Sequence, residues 1–130
     1  MDAGISIKEA AGRLGVSQHT LRYYERARLL LPVERGASGH RRYSPRDLDW
    51  LQFLVRLRST GMPIADVAEY ARLVRMGDST FGDRLALLER HERTVRAQVA
   101  EYKEHLKAVQ FKVNYYRELL EPTQTTTRTA

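Results

Sequence analysis

Ten consecutive residues, Ser17-Gln18-His19-Thr20-Leu21-Arg22-Tyr23-Tyr24-Glu25-Arg26, hold the side chains best suited to recognising another molecule. Ser17 is a helix N-cap residue, whose oxygen accepts an orphan backbone N–H. Gln18, His19 and Thr20 are polar and rich in donors, the equipment for reading base edges in a major groove. Arg22, Tyr23 and Tyr24 follow one turn later. On a helix that enters DNA by its N-terminus, that turn lies nearer the sugar-phosphate wall, where a guanidinium and phenols serve as donors. The chemistry is binding, and the decamer reads as a recognition helix.

A reading helix needs a support. Ser6-x-x-Glu9 is a capping-box pattern that opens a short helix with Ile7, Ala10, Ala11 and Leu14 on one face, and Gly15-Val16 supplies a tight turn into Ser17. Helix, glycine turn, helix is the order of a helix-turn-helix, although two plain bundle helices share it. The flanking sequence decides between them.

After the recognition helix, Leu29-Leu30-Leu31-Pro32 ends the helical pattern. Val33 to Gly36 and His40 to Tyr43 read as two short strands around Ala37-Ser38-Gly39, a hairpin crowded with the donors Arg35, His40, Arg41 and Arg42. Such a ribbon fits a neighbouring phosphate strand as a wing. Ser44-Pro45-x-Asp47 opens a third helix with Leu48, Leu51, Leu54, Val55 and Leu57 inward and Trp50 and Phe53 as core or interface aromatics, up to Thr60-Gly61. Pro63 starts a fourth, with Ile64, Val67, Ala68, Ala71 and Val74 as its stripe, ending near Gly77.

From Phe81 the apolar period changes. Steps of alternating three and four residues give Leu85, Leu88, Glu92, Val95, Val99, Tyr102, Leu106, Val109, Val113, Tyr116 and Leu120, all but Glu92 apolar, with no intervening Pro or Gly. That segment forms a rod of roughly 54 Å, too long to bury its stripe on a domain this small. A homodimeric coiled coil is the simplest partner, against a lone helix folded back on the domain. The flanking charges do not decide between parallel and antiparallel pairing. The expected organisation is a DNA-binding head over 1–76, a linker and dimerisation helix over 77–121, and a disordered tail over 122–130.

Charge agrees with this division. The net charge is +6, and residues 1–46 hold nine Lys/Arg against four Asp/Glu, whereas the remaining chain is nearly balanced. A basic excess confined to the candidate reading head is the footprint of a polyanion partner. With no cysteine in the sequence, disulfides, zinc-thiolate sites and thiol switches are excluded. No apolar run approaches the ~20 residues of a membrane span and no leader pattern opens the chain, so a cytoplasmic protein with no membrane partner is expected. No acid pair or nucleophile-base set is readable, so no enzyme is expected, and no cofactor or metal. His91-Glu92-Arg93-Thr94-Val95 starts like a zinc-protease helix but has valine where the second ligand must stand. His91 and His105 read as solvated residues beside the seam rather than a metal bridge, and Tyr102, Tyr115 and Tyr116 as packing rather than an effector pocket.

The ordered set Ile7-Lys8-Glu9-Ala10-Ala11, Gly15-Val16-Ser17, Leu21-Arg22-Tyr23-Tyr24-Glu25, Leu29-Leu30 with Pro32, Gly39-His40-Arg41-Arg42-Tyr43 and Gly61-Met62-Pro63-Ile64 resembles the MerR family of bacterial transcriptional regulators. The later segments Gly77-Asp78-Ser79-Thr80, Arg84-Leu85-Ala86-Leu87-Leu88 and Lys112-Val113-Asn114-Tyr115-Tyr116 look most like its short-chain, aldehyde- or electrophile-responsive subgroup. The resemblance implies a mainly α fold, a winged helix-turn-helix followed by a long dimerisation helix in an antiparallel coiled coil. It implies a homodimer on a palindromic promoter site, acting on RNA polymerase by distorting the DNA between promoter elements. Arg22, Tyr23 and Arg41 match the family's DNA-contacting positions, Gln18, His19 and Thr20 its variable base-reading face, and Tyr43 packs beneath the wing. The helix from Ser44 to Thr60 lacks the cysteine of electrophile sensors, and the chain ends nine residues after Glu121 without the ligand domain of multidrug-responsive members. A small-molecule effector, if one exists, is expected where head meets rod. The competing expectation is an architectural or recombination-accessory DNA binder with the same winged head, and a purely structural coiled coil would show no DNA affinity.

Overall fold

The computed structural model describes Gly4–Leu30 and Arg42–Glu121. The described chain is mainly helical, in the order α1 (Ile7–Leu14), α2 (Gln18–Arg26), α3 (Pro45–Ser59), α4 (Ile64–Met76), a 3-10 turn (Asp78–Thr80) and α5 (Phe81–Leu120). Its contacts form two compact units, one running through His91 and one beginning at Glu92. The first therefore takes in the start of α5.

In the first unit, serine caps begin three helices. Ser6 accepts the Glu9 N–H, Ser17 that of Thr20 and Ser44 that of Asp47. At Ser44 the box is reciprocal, because Asp47 Oδ2 accepts from both the Ser44 N–H and hydroxyl at 2.9 Å. Beside Ser6, the Glu9 carboxylate accepts from the Arg13 guanidinium at 3.1 Å. Gly15 ends α1 at φ 73°, with Val16 N–H reaching back to the Ala11 carbonyl, a Schellman-type stop that only a left-handed residue permits.

The core joins Ala10, Ala11 and Leu14 of α1, Leu21 and Tyr24 of α2, the α3 leucines 51, 54 and 57, and Val67 and Ala71 of α4. Leu48, Val55, Ile64 and Ala68 pack partly against it. Leu73, outside the stripe expected for α4, is buried too, where the chain turns at Gly77–Thr80 against the end of that helix. Trp50 donates its indole N–H to the Leu29 carbonyl at 2.7 Å and stacks on Tyr70, against which Phe53 sets its edge.

The expected hairpin falls almost wholly outside the described residues, which include only Arg42 and Tyr43 of it. Tyr43 is buried and forms an antiparallel bridge with Ile5, two backbone bonds of 2.9 Å that tie the chain before α1 to the chain before α3. Gly4 permits this: a Cβ there would stand 2.6 Å from the Tyr43 carbonyl oxygen.

In the second unit, α5 continues to Leu120 as an uninterrupted helix. Its surface carries the ion pairs Arg96–Glu92 and Lys107–Glu104 together with exposed apolar side chains.

Candidate nucleic-acid interface

Helix α2 is short, so burial sets its orientation. Leu21 and Tyr24, three residues apart, share one face and are 0% and 5% exposed. His19, Arg22, Tyr23 and Arg26 follow the i, i+3, i+4, i+7 pattern on the other, and all four are exposed. A glutamine precedes them. Gln18 is half-buried and its Oε1 accepts from the Arg22 guanidinium at 3.4 Å, which restrains both side chains on the outer surface. Thr20 is half-buried, and its hydroxyl accepts from Ser17 at 3.0 Å, so it works partly within the cap.

The tyrosine pair divides. Tyr23 is 41% exposed, its ring centroid 6.2 Å from that of Tyr24. The expectation that Tyr24 also faces phosphate is corrected by the structure. Tyr24 lies one turn from Leu21 on the inward face, and its ring is core. Burial raises the Tyr24 phenol above its ordinary value, opposed by the Arg58 charge, which leaves it neutral near pH 7.

Of the expected wing donors, Arg35, His40 and Arg41 lie outside the described residues. Arg42 is exposed and donates one guanidinium N–H to the Gly4 carbonyl. It is thereby held beside the Ile5–Tyr43 bridge. Arg26, the last residue of the decamer, and Arg28, just beyond α2, are exposed cations that the sequence reading does not count among the DNA contacts. The heptad spacing of Arg26 from His19 would have revealed it.

Among the described residues no three of His, Asp or Glu gather as metal ligands. His91 Nε2 lies 2.8 Å from Thr60 Oγ1, and the Thr60 hydroxyl also stands 2.8 Å from the Arg56 carbonyl. His105 Nε2 lies 3.9 Å from Glu101. Among the described residues no helix is long and apolar enough to cross a membrane.

The expected seam on α5 divides by position. Leu85, Val99, Tyr102, Leu106, Val109, Val113, Tyr116 and Leu120 are exposed, while Leu88 and Val95 are half-buried. Leu87, off the seam, is the residue of α5 that enters the core. Phe111, Tyr115 and Leu119, also off the seam, are exposed at the far end.

Comparison with known proteins gives this arrangement a context. The model described as MerR HTH family regulatory protein matches residues 5–73, and that described as MerR, DNA binding matches residues 48–110. An uncharacterized HTH-type transcriptional regulator of Haemophilus influenzae is 38% identical over 109 residues, spanning 84% of this chain and 81% of its own. The HTH-type transcriptional regulator AdhR of Bacillus subtilis is 38% identical over 84 residues, 65% of this chain and 60% of its own. Among solved structures, HiNmlR, a MerR family regulator lacking the sensor domain and bound to promoter DNA, superposes with a TM-score of 0.80 at 35% identity, over 89% of this chain and 92% of that one. A MerR family transcriptional regulator from Bacillus thuringiensis gives 0.77 at 27% identity, over 88% and 100%.

Proposed function

The chain belongs to the MerR family of helix-turn-helix regulatory proteins, and from that premise we propose that it works as a homodimer on a palindromic promoter site, changing transcription by distorting the DNA between its two heads. The observation that carries the reading is the outer face of α2. His19, Arg22, Tyr23 and Arg26 are exposed together on a helix whose opposite face, Leu21 and Tyr24, is locked in the core. A rigidly seated helix with a polar, cationic and aromatic surface suits major-groove recognition. Gln18 and His19 read base edges. Arg22 and Tyr23 take phosphates, and Arg42 with the wing donors Arg35, His40 and Arg41 takes the adjacent backbone. The promoter-bound state of HiNmlR supports double-stranded promoter DNA as the ligand and a regulator rather than a purely architectural binder.

Pairing of two copies is supported by the exposed apolar residues of α5 from Val99 to Leu120, a face that water solvates poorly and that an identical antiparallel helix covers. Two heads joined by one stiff pair of helices convert a small change in their relative angle into twist of the intervening DNA, which RNA polymerase reads as altered promoter geometry.

Footprinting on the promoter upstream of the chain's own coding sequence or of a neighbouring gene tests this, coupled to transcription from a promoter with a lengthened spacer. Protection of a palindrome between the promoter elements and a changed transcript yield are expected. Binding without sequence preference, or a specific footprint with unchanged polymerase output, overturns the regulator. A monomer by sedimentation at micromolar concentration overturns the dimer.

A further inference from the structure

Among the described residues, Arg28 is the only non-glycine residue with a positive φ, 62°. In that region the Cβ crowds the following carbonyl, which glycine avoids by having none. The conformation is built in rather than incidental. Arg28 N–H donates to the Glu25 carbonyl and Leu29 N–H to that of Tyr24, closing α2 with a left-handed cap. The next carbonyls are then gripped from two other helices: Arg75 of α4 donates to the Arg28 oxygen at 2.6 Å, and Trp50 of α3 donates to the Leu29 oxygen at 2.7 Å. Leu29 itself is fully buried. The backbone at residue 28 is thus fixed by its neighbours in a shape that glycine meets without strain, yet an exposed arginine occupies it.

We propose that Arg28 is a phosphate-binding residue, retained against local backbone strain because its guanidinium grips the DNA backbone flanking the reading helix. The placement fits the ligand. Arg28 lies at the C-terminal end of α2, two residues beyond the exposed Arg26, and on a helix entering the groove by its N-terminus that end lies nearest the sugar-phosphate wall. A non-glycine residue held at positive φ by its neighbours, with its side chain exposed, is the kind of outlier from which a functional position is inferred. The inference rests on the DNA-binding reading of α2 and adds a contact to it that sequence patterning gave no reason to include.

The test is Arg28→Gly in the full chain, with the parent and Arg28→Lys alongside. Each is titrated by fluorescence anisotropy on a duplex containing the footprinted site across a salt series, and each is melted. Arg28→Gly should unfold at or above the parent temperature, bind roughly five- to tenfold more weakly at moderate salt, and show a log-log salt slope shallower by about one. Arg28→Lys should keep the parent slope. If Arg28→Gly is folded and matches the parent in affinity and slope, Arg28 touches no phosphate and the proposal is overturned. If Arg28→Gly melts well below the parent, the left-handed position carries no strain and the proposal is overturned equally. A parent with no site-specific binding is a different result, which removes the DNA-binding reading and the Arg28 contact with it.

Discussion

Replacing Thr80 by valine tests the joint between α4 and α5. Thr80 is 4% exposed. Its hydroxyl donates to the Leu73 carbonyl at 2.7 Å, with the Gly77 carbonyl at 2.8 Å, and accepts from Arg84 Nε at 2.9 Å. Arg84 in turn donates to the Gly77 carbonyl at 2.7 Å and lies over the Phe81 ring. Valine fills the same volume, so no cavity confuses the result, but a methyl replaces the one group that both donates and accepts here. The lost donation costs roughly 0.5–1.5 kcal/mol, and weakening the bond from a charged, half-buried guanidinium adds a comparable amount, about 1–3 kcal/mol together. For a head of this size that corresponds to a fall of roughly 4–24 °C in unfolding temperature. Urea unfolding at fixed protein concentration, followed by far-ultraviolet circular dichroism and by the fluorescence of the single tryptophan, Trp50, measures it directly. The double-mutant cycle with Arg84→Met separates the network from Thr80 alone. A loss below about 0.5 kcal/mol, or strict additivity in the cycle, would refute the claim that these residues act as one joint.

Three further outcomes follow from the head. Tyr24→Phe should leave DNA affinity unchanged while Tyr23→Phe weakens it by about 1 kcal/mol with an unaltered melt, and equal effects in a binding titration would mean that the two phenols do not face opposite ways. Gly4→Ala forces a methyl into the Tyr43 carbonyl and should destabilise the head by roughly 1–3 kcal/mol, read from the urea midpoint; a parent-like midpoint would show that the Ile5–Tyr43 bridge yields freely. Arg22→Ala should weaken binding across sequences and lower the salt slope by about one, whereas changes at Gln18 or His19 should alter base preference by ~1–3 kcal/mol per contact; selections on randomised duplexes distinguish the two classes.

Features carried by local rules were legible before the structure. Ser6, Ser17 and Ser44 announce helix starts, Gly15 a left-handed stop, and the leucine spacing of α3 an inward face, because each depends on residues within one or two turns. Tyr24 was within reach of the same logic: three residues from Leu21, it had to share that face, but adjacent tyrosines in a polar decamer invited one role for both. Leu73, Leu87 and the Ile5–Tyr43 bridge depend on residues distant in sequence meeting in space, and no local pattern encodes them. On α5 a stripe can be drawn by period alone, yet Leu87, off that stripe, is buried in the core of the head, and Leu88, on it, packs partly against the same core. The αL arginine at residue 28 is the least legible, since a non-glycine choice there contradicts the rule that would have located the turn.

On the proposed pairing, the exposed face of α5 from Val99 to Leu120 ties behaviour to abundance. If only the paired chain grips both halves of a palindrome, the competent species rises with the square of the chain concentration while most copies are single, so halving the supply leaves about a quarter of it. On the same proposal, a truncated or headless α5 that kept this face would capture full-length copies in mismatched pairs, silencing them without ever meeting DNA.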